Sequence, residues 1–198
     1  MQNELHIFDF DEVIVDDYWF EHVNSFLKSI GRPSIKSRDE LTSRFYAEEN
    51  VFTDEDEYSE FAKYLEKQTP YENIEPRPYS CDVLKGLSDS LRDDVLIATA
   101  LPDLLSKDYR NKEAYQKKRF VEKYFPFMDT GKQLLFIQDK SQLSGYSMTE
   151  DAISNLAGDF DKKLLYTAHH NKNISYGELA NKGIIRVNDW YDIGKELV

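Results

Sequence analysis

Cysteine is nearly absent. Cys81 stands alone in 198 residues, so no disulfide can form within the chain, and a reducing cytoplasm is the expected home. Basic residues are in deficit: 25 Lys and Arg face 37 Asp and Glu, a net charge of −12. A binder of extended nucleic acid needs a basic surface, so the balance argues against that class. A small phosphorylated partner needs only a few local cations, and the acidic surface otherwise serves solubility. Long apolar runs are missing, and with them any membrane-spanning segment. Met1-Gln2-Asn3-Glu4 is not a basic region leading into an apolar run, so no secretory signal is expected. Internal repeats and low-complexity tracts are also lacking.

What the chain does have is the composition of a globular protein, 40% hydrophobic and 31% charged. Its length suits one domain with a sizeable core, or a core with a small insertion. The most informative stretch is Leu5 to Val15. Leu5, Ile7, Phe8 and Phe10 make a strand covered on both faces, with Asp9 and Asp11 at its carboxyl end. Open α/β sheets bind ligands there. A spacing of two puts both side chains on one side of an extended chain. Carboxylates held close repel unless a cation or a shared proton compensates, and oxygen-only ligands favour Mg²⁺. Asp pairs also simply end strands and enter turns. Here, however, the apolar run Val13-Ile14-Val15 resumes at once, which a solvated turn would not do.

Helical spacing predicts a helix from Asp16 to about Ile30, a second over Ser37–Ala47 with Leu41, Phe45 and Tyr46 on one face, and a third over Tyr58–Lys67. Glu48–Glu57 reads as an acidic turn. Residues 16–74 thus form a helical insertion, closed by the stiff hinge Glu75-Pro76-Arg77-Pro78. Helix and strand then alternate. Helices are expected over Cys81–Leu91 and Lys112–Tyr124. Strands are expected over Asp94–Ala100, Leu134–Ile137, Tyr146–Thr149, Lys163–Thr167 and Ile184–Val187, with a terminal helix from Trp190. This alternation implies an α/β fold, a Rossmann-like three-layer parallel sheet. The expected core is 1–15 with 75–198, and 16–74 the cap.

Four places carry suggestive groups: Asp9 with Asp11, Thr99, a lysine near Lys117, and Glu150 with Asp151. Phosphoryl transfer through an aspartate needs such a set: a nucleophilic carboxylate, a second as acid and base, a hydroxyl and an ammonium on the phosphoryl oxygens, and a metal ion. Asp9-Phe10-Asp11-Glu12-Val13 resembles the first motif of the haloacid dehalogenase (HAD) phosphatases. Within that superfamily the chain is most similar to the 5′(3′)-deoxyribonucleotidases. Tyr71–Tyr79 resembles their Phe-x-Asn-Leu-x-Pro-x-Pro-Gly. Lys117–Pro126 resembles Lys-x-x-Trp-Val-x-x-x-Phe-Pro, and Asp139-Lys140 matches an Asp-Lys after the next strand. Glu150–Asn155 is similar to Asp-Asp-Arg-Pro-x-Asn, and Val187–Trp190 to a closing Val-x-x-Trp.

The resemblance implies Asp9 as nucleophile and Asp11 as acid and base. Thr99 and Lys117 would bind phosphate, and Mg²⁺ would be held at Asp9, Asp11 (through its carbonyl) and Asp151. Glu150 is assigned to the same metal site, or behind it through water. The substrate implied is a nucleoside monophosphate, with deoxy forms favoured. Its base would stack on cap aromatics, with Trp19 and Phe20 best placed and Tyr18, Phe45, Tyr46 and Phe61 as others. Three departures stand out: Glu12 where Gly is usual, Ala100 where Ser is common, and Glu150 for Asp. They leave room for a non-catalytic binding or regulatory module. A phosphatase of polynucleotide 3′ ends or of another small metabolite is a further alternative. Thr99 also reads as an ordinary strand residue and Lys117 as an exposed helix lysine, with Lys118 one residue of slippage away. Trp19 and Phe20 also read as helix packing. His169-His170 reads as a polar loop near the site. Oligomeric state stays open, a homodimer included.

Overall fold

The computed structural model describes residues 4–16, 18–41, 43, 51–69, 71–90, 93–102 and 105–198. Six parallel strands form one sheet in the order β3-β2-β1-β4-β5-β6. They are β1 (Glu4–Asp9), β2 (Asp93–Thr99), β3 (Leu134–Phe136), β4 (Ser144–Glu150), β5 (Asp159–Tyr166) and β6 (Ile184–Val187). The chain runs outward from β1 to β3, then returns to the other side of β1 with β4. The strand order therefore reverses between β1 and β4, and their carboxyl ends flank the crevice that a reversal opens. The acids of both candidate motifs end these two strands.

Alternation along β1 separates the two faces of the core. Phe8 packs with α3 (Ser80–Asp89), α4 (Lys107–Tyr124) and α7 (Trp190–Leu197), through Leu84, Phe120 and Trp190. Ile7 faces the other way, onto Met148, Leu156, Leu165 and Leu179. Trp190 is fully buried, stacks on Phe8 at 5.3 Å and donates its indole N–H to the Val13 carbonyl at 2.9 Å. The terminal helix is thereby fastened to the segment that follows the aspartates. Two short helices, α5 (Thr130–Gln133) and α6 (Tyr176–Asn181), complete the outer layers.

Between β1 and α3 come α1 (Trp19–Ser29) and α2 (Glu55–Leu65). They bury Val23, Phe26, Leu27, Phe61 and Leu65 in an apolar cluster of their own, joined by Leu105 and Tyr109 from the approach to α4 and its first turn. Trp19 packs against this cluster and against the main core. The Pro-rich hinge returns the chain to the sheet: Arg77 N–H donates to the Ile14 carbonyl at 2.8 Å, and Pro76 bridges Val15.

Three sequence expectations shift here. In place of a helix beginning at Ser37 there is a 3-10 turn at Arg38–Glu40, its amides reaching back three residues to Ser37 and Arg38. Phe45 and Tyr46 lie outside the described residues. The acidic run before Tyr58 is not all turn, because Asp54 caps α2 by accepting from Glu57 N–H at 2.9 Å. Glu55, Asp56 and Glu57 then fill a first turn where the helix dipole favours anions. Likewise α4 starts five residues before Lys112, because Ser106 caps it.

Candidate active site

Asp9 ends β1 and is almost fully buried. Its Oδ1 accepts from the Phe10 amide at 2.6 Å and touches Lys140 Nζ. Burial, reinforced by Glu150, pushes its pKa up to about 7 despite Lys140. The chain then turns sharply: the Ile14 and Val15 amides both donate to the Phe10 carbonyl. Phe10, between the two acids, is buried edge-on against Tyr71 and Phe120. This explains the apolar residues around the acids: the turn is wrapped by core, not by water.

Asp11 collects three side chains. Lys117 Nζ donates to Oδ2 at 2.7 Å, Thr99 Oγ1 lies 3.4 Å from the same oxygen, and Tyr71 donates its hydroxyl to Oδ1 at 2.7 Å. Lys117 also donates to Thr99 Oγ1 at 2.8 Å and to the Ala100 carbonyl at 3.1 Å, and pairs with Glu113 at 3.1 Å. Lys117 is fully buried, whereas Lys118 is half-exposed beside Glu122. Helix phase thus turns the first lysine inward. Burial disfavours the ammonium of Lys117, but Asp11 and Glu113 outweigh it and raise its pKa. Ala100, where a hydroxyl is common, takes part through its carbonyl.

Glu150 ends β4 with both oxygens occupied. Oε1 accepts from Lys140 Nζ at 2.8 Å and Asn155 Nδ2 at 2.6 Å; Oε2 accepts from the amides of Asp151 at 2.6 Å and Ala152 at 2.9 Å. Oxygens of Asp9, Glu150 and Asp151 lie within 4.8 Å of one another. Asp151 is held from behind by the loop after β5. Asn171 and His170 bond its carbonyl at 2.7 and 3.1 Å, and His170 Nε2 stands 3.3 Å from its carboxylate. His169 Nδ1 lies 3.6 Å from Glu12. The histidines belong to a polar loop beside the site.

Trp19 packs between Tyr18 and Phe61, at 5.7 and 5.9 Å, and Phe20 lies under the Arg38 guanidinium at 5.3 Å. Phe61 is 1% exposed within the helical cluster, so it has no face to offer a base. Three residues at the site escaped the sequence reading. Lys140 was visible only as half of a matched Asp-Lys; Asp139 caps its turn by accepting from Ser141 N–H. Tyr71 was visible only as the first residue of the family motif that runs into the hinge. Glu113, one helical turn before Lys117, had no signal beyond its charge.

Solved structures of HAD hydrolases share this parallel-sheet fold. A hydrolase from Pseudomonas syringae superposes with a TM-score of 0.53 at 15% identity, covering 98% of both chains. A HAD hydrolase from Entamoeba histolytica gives 0.55 at 17% identity, covering 100% of this chain and 96% of that one. The HAD-hydrolase YfnB from Bacillus subtilis, solved bound to magnesium, gives 0.54 at 14% identity, covering 100% and 99%. No curated protein matches the sequence. The model of the 5′ nucleotidase, deoxy (pyrimidine), cytosolic type C family matches residues 3–198, and the chain belongs to that family. It is a phosphoric monoester hydrolase of nucleotidase type. Among the described residues, no helix is long and apolar enough to cross a membrane.

Proposed function

We propose that the chain is a Mg²⁺-dependent cytoplasmic nucleotidase that hydrolyses nucleoside monophosphates, deoxy forms preferred, through a phosphorylated Asp9. The observation that carries this is the pairing of two ammonium groups with two aspartates two residues apart: Lys140 on Asp9, Lys117 on Asp11. Asp9 attacks phosphorus, forming an O–P bond as the ester bond breaks. The leaving nucleoside oxygen takes a proton from the Asp11 carboxyl. Asp11 then removes a proton from water, which attacks phosphorus and releases inorganic phosphate and Asp9. Thr99 and Lys117 hold phosphoryl oxygens, a role Lys140 shares from the other side.

The donor set suits a hard cation, being all oxygen, with three carboxylates gathered around the one ammonium of Lys140. Asp9, Asp151 and the Asp11 carbonyl would hold it, and when bound it offsets the charge between nucleophile and phosphate. Glu150, whose oxygens already accept four donors, fixes Lys140 and the Asp151 amide behind that site. Residues 16–74 act as the cap over the core formed by 1–15 and 75–198, and Trp19 and Phe20 are its base-facing aromatics. A panel of ribo- and deoxyribonucleotides against sugar and amino-acid phosphates, each with and without EDTA, tests the reading. Nucleotide turnover that EDTA and Asp9→Asn both abolish is expected. Faster hydrolysis of sugar phosphates than of every nucleotide would make the substrate another small metabolite.

A further inference from the structure

A second group of potential ligands lies at the amino end of the sheet, opposite the carboxylate cluster. Glu4 and His6 are two apart on β1 and share a face. Asp93 opens β2 in register with Glu4, so its side chain leaves the sheet on that same face. One oxygen each of Glu4 and Asp93 and a ring nitrogen of His6 lie within 4.8 Å of one another. His6 is 1% exposed, the Asp93 side chain 18%, and Glu4 is exposed, so the group is open to solvent on one side only.

The imidazole is fixed in place. Nδ1 lies 2.9 Å from Ser147 Oγ, and Tyr146 packs edge-on at 5.3 Å. Nε2 is thereby aimed at the carboxylates, yet this buried atom has no hydrogen-bond partner. Asp93 Oδ1 stands 3.6 Å away, beyond hydrogen-bonding distance. Two ligands of a tetrahedral metal with bonds near 2.0 Å stand roughly 3.3 Å apart. The spacing is closer to a coordination edge than to a hydrogen bond.

We propose that Glu4, His6 and Asp93 form a second divalent-cation site, one that takes a borderline metal of the zinc class in preference to Mg²⁺. Two carboxylates and a neutral imidazole balance a divalent charge. Burial, opposed by Asp93, lowers the pKa of His6, which favours the neutral ring that ligation requires. A ligating histidine is oriented by a hydrogen bond at its other nitrogen, the part Ser147 plays here. Lys162 acts on the ring electrostatically, but its Nζ is bonded to the Glu196 carbonyl. Imidazole is a poor ligand for Mg²⁺, so the two ends of the sheet select different ions. A bound ion would tie β1 to β2 at the end away from the chemistry.

The test titrates the untagged chain, in excess Mg²⁺, with Co²⁺ read by visible absorption and with Zn²⁺ read by calorimetry. The expected result is one equivalent bound with a tetrahedral Co²⁺ spectrum. Affinity should fall roughly tenfold or more in His6→Gln and in Asp93→Asn, and hold in Asp9→Asn. Should His6→Gln fail to fold, Asp93→Asn and Glu4→Gln at the solvent-facing rim carry the test. No binding, binding untouched by the rim variants, or binding lost in Asp9→Asn would overturn the proposal.

Discussion

Lys140 Nζ bridges the carboxylates of Asp9 and Glu150 from a 3-10 turn ten residues before Glu150. Three charged groups are thus buried on one another, and removing the cation leaves two acids facing each other. Lys140→Met should lower kcat by about 10²–10³, the usual cost of losing one electrostatic donor at a reacting group. It should also destabilise the fold by roughly 3–5 kcal/mol where both acids are charged. Asp9, already pushed up to about 7 by burial and Glu150, takes a proton more readily still without Lys140. The stability loss should therefore be smaller at acid pH than at alkaline pH. Urea melts of wild type and variant on either side of neutrality check this; an equal loss at both would contradict the pairing.

The two non-glycine residues with positive φ among those described are Glu12, at φ 64°, and Tyr79, at φ 66°. Both fall where the related motifs carry Gly. The left-handed conformation costs an L-residue about 1–2 kcal/mol, part of which a Gly substitution returns to unfolded-chain entropy. Tyr79 is 63% exposed and loses little packing on truncation. Tyr79→Gly should therefore raise unfolding stability by up to about 1 kcal/mol, while Tyr79→Ala should not. Glu12→Gly should gain less, since Glu12 lies 3.6 Å from His169 and 3.9 Å from Arg77. Equal stability of Tyr79→Gly and Tyr79→Ala would sink the account.

How much of this was legible in the sequence differs by element. The buried strand with its two acids and the alternation giving the parallel sheet each rest on a local period, and local periods survive folding; Lys117 was legible only through the resemblance of its helix to a family motif. Helix starts were less legible, because they depend on a cap such as Asp54 or Ser106 rather than on apolar spacing. Lys140 and Tyr71 were hidden for another reason. Each reaches the site from a connecting segment, across 131 and 60 residues of chain respectively, and only the closed fold brings it there. The second acidic position was readable as a motif, but the saturation of Glu150 by four donors was not.

His6 makes stability depend on pH in a direction fixed by burial. Its folded pKa lies below the usual 6.5, with burial the largest cause and Asp93 opposing. Below 6.5 the unfolded chain therefore binds a proton that the folded chain resists. The stabilisation from this group is complete above that value and is lost as pH falls through the folded pKa. In EDTA, wild type should lose stability as pH falls below about 6.5, and His6→Gln should lose less, the slopes differing by at most about 1.4 kcal/mol per pH unit. His22, also lowered by burial, remains in both proteins and cancels in the comparison. Identical slopes would show that His6 is protonated as easily in the fold as outside it.

Tyr71 links the segment between α2 and α3 to the proposed acid and base. Its hydroxyl donates to Asp11 Oδ1 at 2.7 Å and stands 3.3 Å from Glu113. Burial, with Asp11 close by, holds the phenol well above its ordinary pKa, so it stays a donor throughout the working range. The ring packs edge-on against Tyr18 at 5.0 Å and Phe10 at 5.4 Å, contacts that phenylalanine would keep. Tyr71→Phe therefore removes the hydroxyl's bond to the Asp11 carboxylate, with its longer contact to Glu113, and keeps the ring packing. A bond of that kind contributes about 1.5–3 kcal/mol, so kcat should fall roughly ten- to a hundredfold if the hydroxyl positions Asp11 for proton transfer. KM should change less, because Thr99, Lys117 and Lys140 remain to hold the phosphate. Steady-state kinetics, with a urea melt to confirm the fold, make the measurement. Loss of stability with kcat unchanged would reduce Tyr71 to a packing residue.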